Sequence, residues 1–349
     1  MTELRKNIRS LSSEEIMKLL THEGFPSFRT KQVLQWLWNK NVGSFVEMRN
    51  LGEGLIGFLE EHFYIDRLRI QTRQVSRDKT IKCGFETVDG EVIEGVLIPT
   101  TSRMTACISS QVGCSLSCLF CATGKLKLKK NLSPGEIVDQ VVLLEQIALE
   151  QYQQGLSNIV LMGMGEPLLN YNNVLQAIEL LTDPNRYGIS PKRITLSTAG
   201  IAKMIRKLGD DQVRFNLALS LHAADDEKRS EVMEINQSND LSTLTDALIY
   251  FYEKTETRIT LEYILFKDFN DSIEDAAKLA AFAKCVPCKI NLIEYNPIDA
   301  GRFQRSDDIK TEAFKDFLER KNMIVNVRRS RGKDIDAACG QLANKIHQA

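Results

Sequence analysis

Hydrophobic positions along this chain change period twice. Over residues 1 to about 62 they recur at helical spacing. Ser12, Ser13, Glu14 and Glu15 offer an N-terminal cap before IMKLL. TKQVLQWLWNK then puts Val33, Leu34, Leu37 and Trp38 on one helical face, and GLIGFLEEHF closes the region. Between residues 67 and 98 apolar and polar residues alternate in RLRIQTRQV, TIKCGF and EVIEGVLIP, with a turn at Val88-Asp89-Gly90-Glu91, which predicts a small β extension.

From residue 103 strand-like and helix-like stretches take turns. The predicted strands are Thr105–Ser109, Asn158–Met162, Arg193–Ser197, Phe215–Ser220, Ile259–Leu265 and Lys289–Tyr295. The predicted helices are Pro134–Gln154, Asn173–Leu181, Ile201–Leu208, Leu241–Glu253 and Ile273–Cys285. Such alternation argues for parallel strands joined by crossover helices. Six βα units suit a full or partial (β/α) barrel, with an open doubly wound sheet as the alternative. A further strand at Ile324–Arg328 and a helix from about Ile335 complete the expectation. The expected architecture is α/β: a helical segment over 1–66, a β extension over 67–102, and a partial (β/α)6 barrel over 103–349.

With 349 residues, 43% hydrophobic and 26% charged, the chain suits a soluble globular protein and excludes a disordered or fibrous one. No apolar run approaches the roughly 18 residues that cross a bilayer. The start, MTELRKNIRS, is too polar for a secretory signal. A cytoplasmic location with no membrane partner is expected. The 45 basic and 46 acidic side chains nearly cancel, so any nucleic acid must be held by local patches. Eight scattered cysteines in such a chain point to metal binding or catalysis rather than to a disulfide framework.

The sharpest chemical signal is GCSLSCLFCATG at 113–124, which spaces Cys114, Cys118 and Cys121 as C-x3-C-x2-C just past a predicted strand. Three thiolates in one loop ligate three corners of a metal cluster and leave one iron of a [4Fe–4S] cubane open for a small molecule. A structural zinc with a distant fourth ligand, or plain packing, are the other readings. Gly163-Met164-Gly165-Glu166-Pro167 follows the apolar strand NIVLMG. A glycine turn there lets backbone approach a ligand, and Glu166 suits an ammonium partner. Ser197, then Ser220-Leu221-His222, then Asn296 stand at the ends of later predicted strands, the end that carries the site in a barrel. Individually, Ser197 reads equally as a cap, His222 as a satisfied core histidine and Asn296 as a turn residue. By composition alone, Cys107 and Cys339 read as buried small hydrophobes and Glu94 as an exposed strand residue.

The cysteine spacing and its context resemble the radical S-adenosylmethionine (SAM) superfamily. That resemblance implies a partial barrel, a [4Fe–4S] cluster on Cys114, Cys118 and Cys121, and SAM bound through its amino and carboxylate groups to the open iron, with the segment around Gly165 and Glu166 on the methionine amine. More narrowly, ISSQVGCSLSCLFCATG, MGMGEPLLN, LSTAG, SLHA, NPI and DIDAACGQL resemble, in order, the adenine C2/C8 RNA methyltransferases of the RlmN/Cfr type over residues 90 to 342. The N-terminal helices match in layout. The resemblance implies that Cys339 accepts a methyl group from one SAM. A 5′-deoxyadenosyl radical from a second SAM then takes a hydrogen atom from it, and the methylene adds to an adenine ring carbon. Cys107 attacks the sulfur of Cys339 to release the base through a transient disulfide, and Glu94 removes the ring proton. Ser197, Ser220, Leu221, His222 and Asn296 join the cofactor site. Adenine C2 is a poor target for polar methylation, and a thioether link needs a second thiol to resolve it, so the scheme is chemically coherent.

By the same resemblance the substrates are a 23S rRNA adenine of the peptidyl-transferase centre and a tRNA adenine beside the anticodon. The electron donor is a flavodoxin or ferredoxin and the enzyme a monomer. Pro167 and Ala223 favour the C2 members over the C8, Cfr-type ones. A non-enzymatic, zinc-holding RNA-binding protein is the reading from another class, and a different radical SAM reaction such as glycyl-radical activation is a third. Basic stretches at 124–131 and 328–334 are expected to hold RNA backbone, and the N-terminal helices to recognise RNA. Cys285 and Cys288 lack a partner pair and read as packing, as does Cys83. Glu234, in RSEVMEIN, stands where the family pattern has proline, which puts the shape of that loop in question.

Overall fold

The computed structural model describes residues 5–299 and 301–343. Three helices open the chain: α1 (Ser13–His22), α2 (Phe28–Trp38) and α3 (Glu53–His62). Ser12 caps α1 through a reciprocal pair, its hydroxyl accepting the Glu15 N–H at 3.1 Å while its own N–H donates to the Glu15 carboxylate at 2.7 Å. Lys6–Asn7 pairs with Phe63–Tyr64 and brings the ends of this region together.

One ten-stranded sheet follows: β1 (Arg69–Val75), β2 (Ile81–Glu86), β3 (Val92–Pro99), β4 (Met104–Cys107), β5 (Asn158–Leu161), β6 (Ile194–Thr198), β7 (Asn216–Ser220), β8 (Ile259–Leu265), β9 (Cys288–Glu294) and β10 (Val325–Arg328). Strands β1 to β4 pair antiparallel, and β4 to β10 run parallel in strict sequence order. The crossovers carry α4 (Pro134–Tyr152), α5 (Tyr171–Thr182), α6 (Ala202–Asp210), α7 (Asp226–Val232) with α8 (Leu241–Thr255), α9 (Ile273–Ala283) and α10 (Asp308–Arg320). Right-handed crossovers that never reverse strand order put every helix on one side and curl the sheet into a barrel wall. A doubly wound sheet would reverse order at a switch point, and this one does not.

The β extension is therefore the edge of the barrel sheet rather than an appendage. Its inner strands are buried on both faces, so β2 and β3 carry continuous buried runs instead of half-exposed alternation. Past β10 the chain turns back across the gap between the sheet's two edges. The Gly332 N–H donates to Asp78 at 2.9 Å, and the Asp334 carboxylate accepts from Ser76 and the Arg77 N–H in the β1–β2 turn.

The expected helix from Ile335 does not form within the described residues. A one-turn 3-10 segment over Lys333–Ile335 gives way to extended loop, with Asp336 left-handed at φ 50° and Gly340 at φ 83°. Left-handed residues interrupt the helical hydrogen-bond ladder, and residues 344–349 lie outside the description.

A buried ion pair locks the N-terminal helices to the barrel. Arg9 donates to both oxygens of Asp139 on α4, at 2.9 and 2.8 Å, with both side chains wholly inaccessible. Among the described residues no helix is long and apolar enough to cross a membrane.

Candidate active site

The loop after β4 carries the three clustered cysteines. Gln111–Val112 pairs with Lys130–Asn131 and closes the loop at its base. Contacts from outside hold its tip. The Leu119 N–H donates to Val232 of α7 at 3.1 Å, and the Ala122 N–H donates to the Gly340 carbonyl at 2.7 Å. Cys114, Cys118 and Cys121 are half-buried and stand in the wall of one cavity at the strand ends. Burial pushes the thiol of Cys114 up to about 11 and raises those of Cys118 and Cys121 as well. A bound cation must displace protons from such thiols, and it supplies the positive charge their thiolates lack.

The GMGEP turn faces them. Gly165 has φ 93°, and a Cβ there would fall 2.4 Å from the Gln111 Cβ, so only glycine fits. Gln111 in turn accepts the Glu166 N–H at 2.8 Å. The Glu166 carboxylate accepts N–H bonds from Ala199 at 2.8 Å and Leu168 at 3.1 Å. Burial still lifts its pKa to about 6. Ser197 and Ser220, at the ends of β6 and β7, lie 3.4 Å apart between hydroxyls on the cavity wall.

His222 also reaches the cavity, from a left-handed backbone at φ 56°. Its Nδ1 accepts the Ile264 N–H at 3.1 Å, so the ring proton resides on Nε2. Burial, aided by the Arg229 charge, drops its pKa to about 3, and the ring stays neutral. Leu221 and Asn296 do not line the cavity. The Leu221 side chain is fully buried in the main core, its N–H donates to the Glu262 carbonyl, and its own carbonyl accepts from Arg229. Asn296 donates instead to the Cys339 carbonyl at 3.2 Å and steadies the C-terminal loop.

Cys107 and Cys339 come from opposite ends of the barrel sequence to one place. Cys107 ends β4, buried, in the wall of a second cavity. Cys339 is exposed and stands in the walls of both cavities. Both thiols are free, and burial together with the nearby Cys339 thiol pushes Cys107 up to about 12.

Glu94 is not an exposed strand residue. It is wholly buried, with Lys82 Nζ at 3.3 Å from Oε1 and the Ala343 N–H donating to Oε2 at 2.8 Å. It lines neither cavity.

The basic stretches differ from expectation at one residue above all. Arg328 points into the barrel, 3.2 Å from Glu262, and lines both cavities rather than an outer RNA-facing surface. Arg329 and Lys333 each pair with Glu294 at 2.8 Å, and Lys129 and Lys130 pair with Glu91 and Asp89, while Lys127 and Arg331 stay exposed. Sequence reasoning missed Glu262 and Arg229. The first was signalled by a carboxylate inside the otherwise apolar ITLEYIL, a strand buried along its whole length. Glu234, in place of proline, opens a one-turn 3-10 helix over Glu234–Gln237, a first position that proline also accepts.

Comparison with known proteins bears on the family and the fold. Residues 108–280 match the Radical SAM superfamily, and residues 6–65 match the Ribosomal RNA large subunit methyltransferase N-terminal domain. A "Probable dual-specificity RNA methyltransferase RlmN" of Cytophaga hutchinsonii is 56% identical over 99% of this chain and 94% of its own length. The "Dual-specificity RNA methyltransferase RlmN" of Nautilia profundicola is 40% identical, over 92% and 93%. The crystal structure of a radical SAM methyltransferase from Sphaerobacter thermophilus superposes with a TM-score of 0.90 at 36% identity, covering 97% of this chain and 99% of that one. Identity of this extent, over a shared fold, shows that the chain belongs to the RlmN family of radical SAM RNA methyltransferases.

Proposed function

We propose that this enzyme methylates C2 of an adenine in 23S rRNA and in tRNA, by way of a methylated Cys339. The observation that carries this reading is the position of Cys339, in the wall shared by the cavity of the three cysteines and the cavity that holds Cys107. Three thiols around one cavity, a glycine cradle that a Cβ would fill and a carboxylate aimed from it form a donor set that fits a [4Fe–4S] cluster and SAM. When bound, these supply a methyl group and a one-electron route to a carbon radical.

The chain's own groups do the rest. Glu166 takes the ammonium of the methionine moiety, and Ser197 and Ser220 supply hydroxyls at the neighbouring strand ends. Neutral His222 adds no charge to a cavity wall that already holds Arg328. Cys339 carries the methyl carbon from the first cavity to the second and becomes bonded through it to the base. Cys107 then attacks the Cys339 sulfur: an S–S bond forms, the C–S bond breaks, and its electron pair goes to the departing carbon, which takes up a proton. A thiol reductant restores the two cysteines. For Glu94 to take the ring proton, its carboxylate must exchange the Ala343 N–H for substrate, which couples that step to movement of the C-terminal loop.

A flavodoxin or ferredoxin supplies the electron in this reading, and the enzyme acts as a cytoplasmic monomer. Pro167 and Ala223 support C2 over C8. Mass spectrometry of digested RNA after anaerobic turnover distinguishes them: 2-methyladenosine is expected, and 8-methyladenosine would overturn the position. Cys339→Ala should abolish transfer, whereas Cys107→Ala should accumulate a covalent protein–RNA adduct. Normal turnover by either variant would overturn the route through sulfur. Activity with zinc in place of iron would favour a different protein altogether.

A further inference from the structure

Arg9 and Arg229 are the two largest fully buried side chains among the described residues, and they are held differently. Arg9 has a carboxylate partner in Asp139. Arg229 has only neutral acceptors: the Ala199 carbonyl at 2.6 Å, Asn236 Oδ1 at 2.6 Å and the Leu221 carbonyl at 3.2 Å, with those of Asn239 and Ser220 at 3.4 and 3.5 Å. Among the described residues no carboxylate lies within ion-pair distance of it. Asp226 is tied to the same network by Asn236, whose amide donates to Asp226 Oδ1 at 2.9 Å, but it is exposed, and solvent weakens its charge so that it offsets only part of that of Arg229.

A guanidinium stays protonated even here, since burial lowers it only to about 10. A buried cation without an anion is costly, and such charges persist where a counter-charge meets them. The missing anion is indicated by position. Arg229 lies on α7, the helix whose Val232 carbonyl receives the tip of the cysteine loop. Val232 and Met233 pack with Phe120 in a small aromatic core against which Cys118 and Cys121 rest. Three thiolates around a [4Fe–4S] cluster carry net negative charge, and reduction adds one more.

We propose that Arg229 is the buried counter-charge of the iron–sulfur cluster and favours its reduced form. The inference rests on the reading that Cys114, Cys118 and Cys121 hold that cluster. Arg229 acts through the cluster and touches no reacting atom, so it is a positioning and electrostatic residue. A purely structural role is the competing account, because the same side chain grips Ala199, whose N–H caps Glu166.

Charge and shape separate in two variants. Arg229→Gln removes the charge and keeps hydrogen bonding, while Arg229→Lys keeps the charge and loses the fork. The full-length protein is reconstituted anaerobically, iron and sulfide are counted, and the reduced-to-oxidised ratio is read by electron paramagnetic resonance at fixed applied potentials. In Arg229→Gln the ratio should fall about tenfold, a shift of about 59 mV for a one-electron couple, and Arg229→Lys should stay near wild type. An unchanged ratio in a fully loaded Arg229→Gln, or an equal shift in both variants, overturns the proposal. If neither variant retains iron, Asp226→Asn decides, since it removes the carboxylate that partly offsets Arg229 from an exposed position. Its ratio should rise about two- to threefold, and no change overturns the proposal. Wild-type protein that takes up no four-iron cluster would instead refute the reading of the three cysteines.

Discussion

Glu166→Gln tests the cofactor site at its most constrained atom pair. The two carboxylate oxygens already accept backbone N–H groups, from Leu168 at 3.1 Å and Ala199 at 2.8 Å. An amide can satisfy only one of them. Whichever way glutamine is turned, its NH2 faces a buried N–H, and an unsatisfied buried donor costs about 1–3 kcal/mol of stability. On the proposed reading the substitution also removes the negative charge that would meet the methionine ammonium, a hydrogen bond to a charged group that contributes about 1.5–3 kcal/mol. At 1.4 kcal/mol per tenfold, SAM should bind about 10- to 150-fold more weakly. Equilibrium binding of SAM to anaerobically loaded protein, with iron content matched to wild type, measures the second effect. Chemical denaturation of the unloaded protein measures the first. A Kd within about twofold of wild type would show that Glu166 merely caps the turn and that the amine is held elsewhere.

The pH dependence of SAM binding follows from the same group. Burial raises the Glu166 carboxyl to about 6 from an ordinary value of 4.5, so it contributes stability to the unloaded fold below pH 4.5 that is lost as pH rises through 6. Binding needs the ionised form, so affinity should be about tenfold weaker at pH 5 than at pH 7, and a profile flat across that window refutes the assignment. Asp139→Asn leaves Arg9 buried without its anion and should destabilise the fold by about 3–5 kcal/mol in urea titration; a loss under about 1 kcal/mol would mean the pair is not the lock between the N-terminal helices and α4. Gly165→Ala forces a Cβ to within 2.4 Å of Gln111 in a left-handed turn. Strain of about 1–3 kcal/mol should appear as weaker SAM binding, and wild-type affinity would show that the turn relaxes without cost.

Helix caps, crossover periodicity and cysteine spacing are legible in this sequence because each depends on residues a few positions apart. Ser12 and Glu15 meet across one turn, and the α4 cap at Ser133 and Glu136 does the same. The strands of the parallel array appear within a residue or two of where their apolar runs predict them, because each places apolar side chains at its buried positions. Cys114, Cys118 and Cys121 line one cavity because a single short loop after β4 carries all three.

Burial and long-range partnership were decided only by the tertiary structure. Glu94 reads as an exposed carboxylate until β3 is seen inside a ten-stranded sheet, where Lys82 and the Ala343 N–H enclose it. Arg328 reads as one of a basic run until the register of β10 turns it inward onto Glu262. Cys339 sits in DIDAACGQL with nothing local to mark it, and left-handed Asp336 and Gly340 replace the expected helix with a loop that carries it to Cys107. Local sequence records the conformational preference of a few neighbouring residues. Which distant charge or thiol a side chain meets depends on strand order and register, and these emerge only when the whole barrel closes around its core.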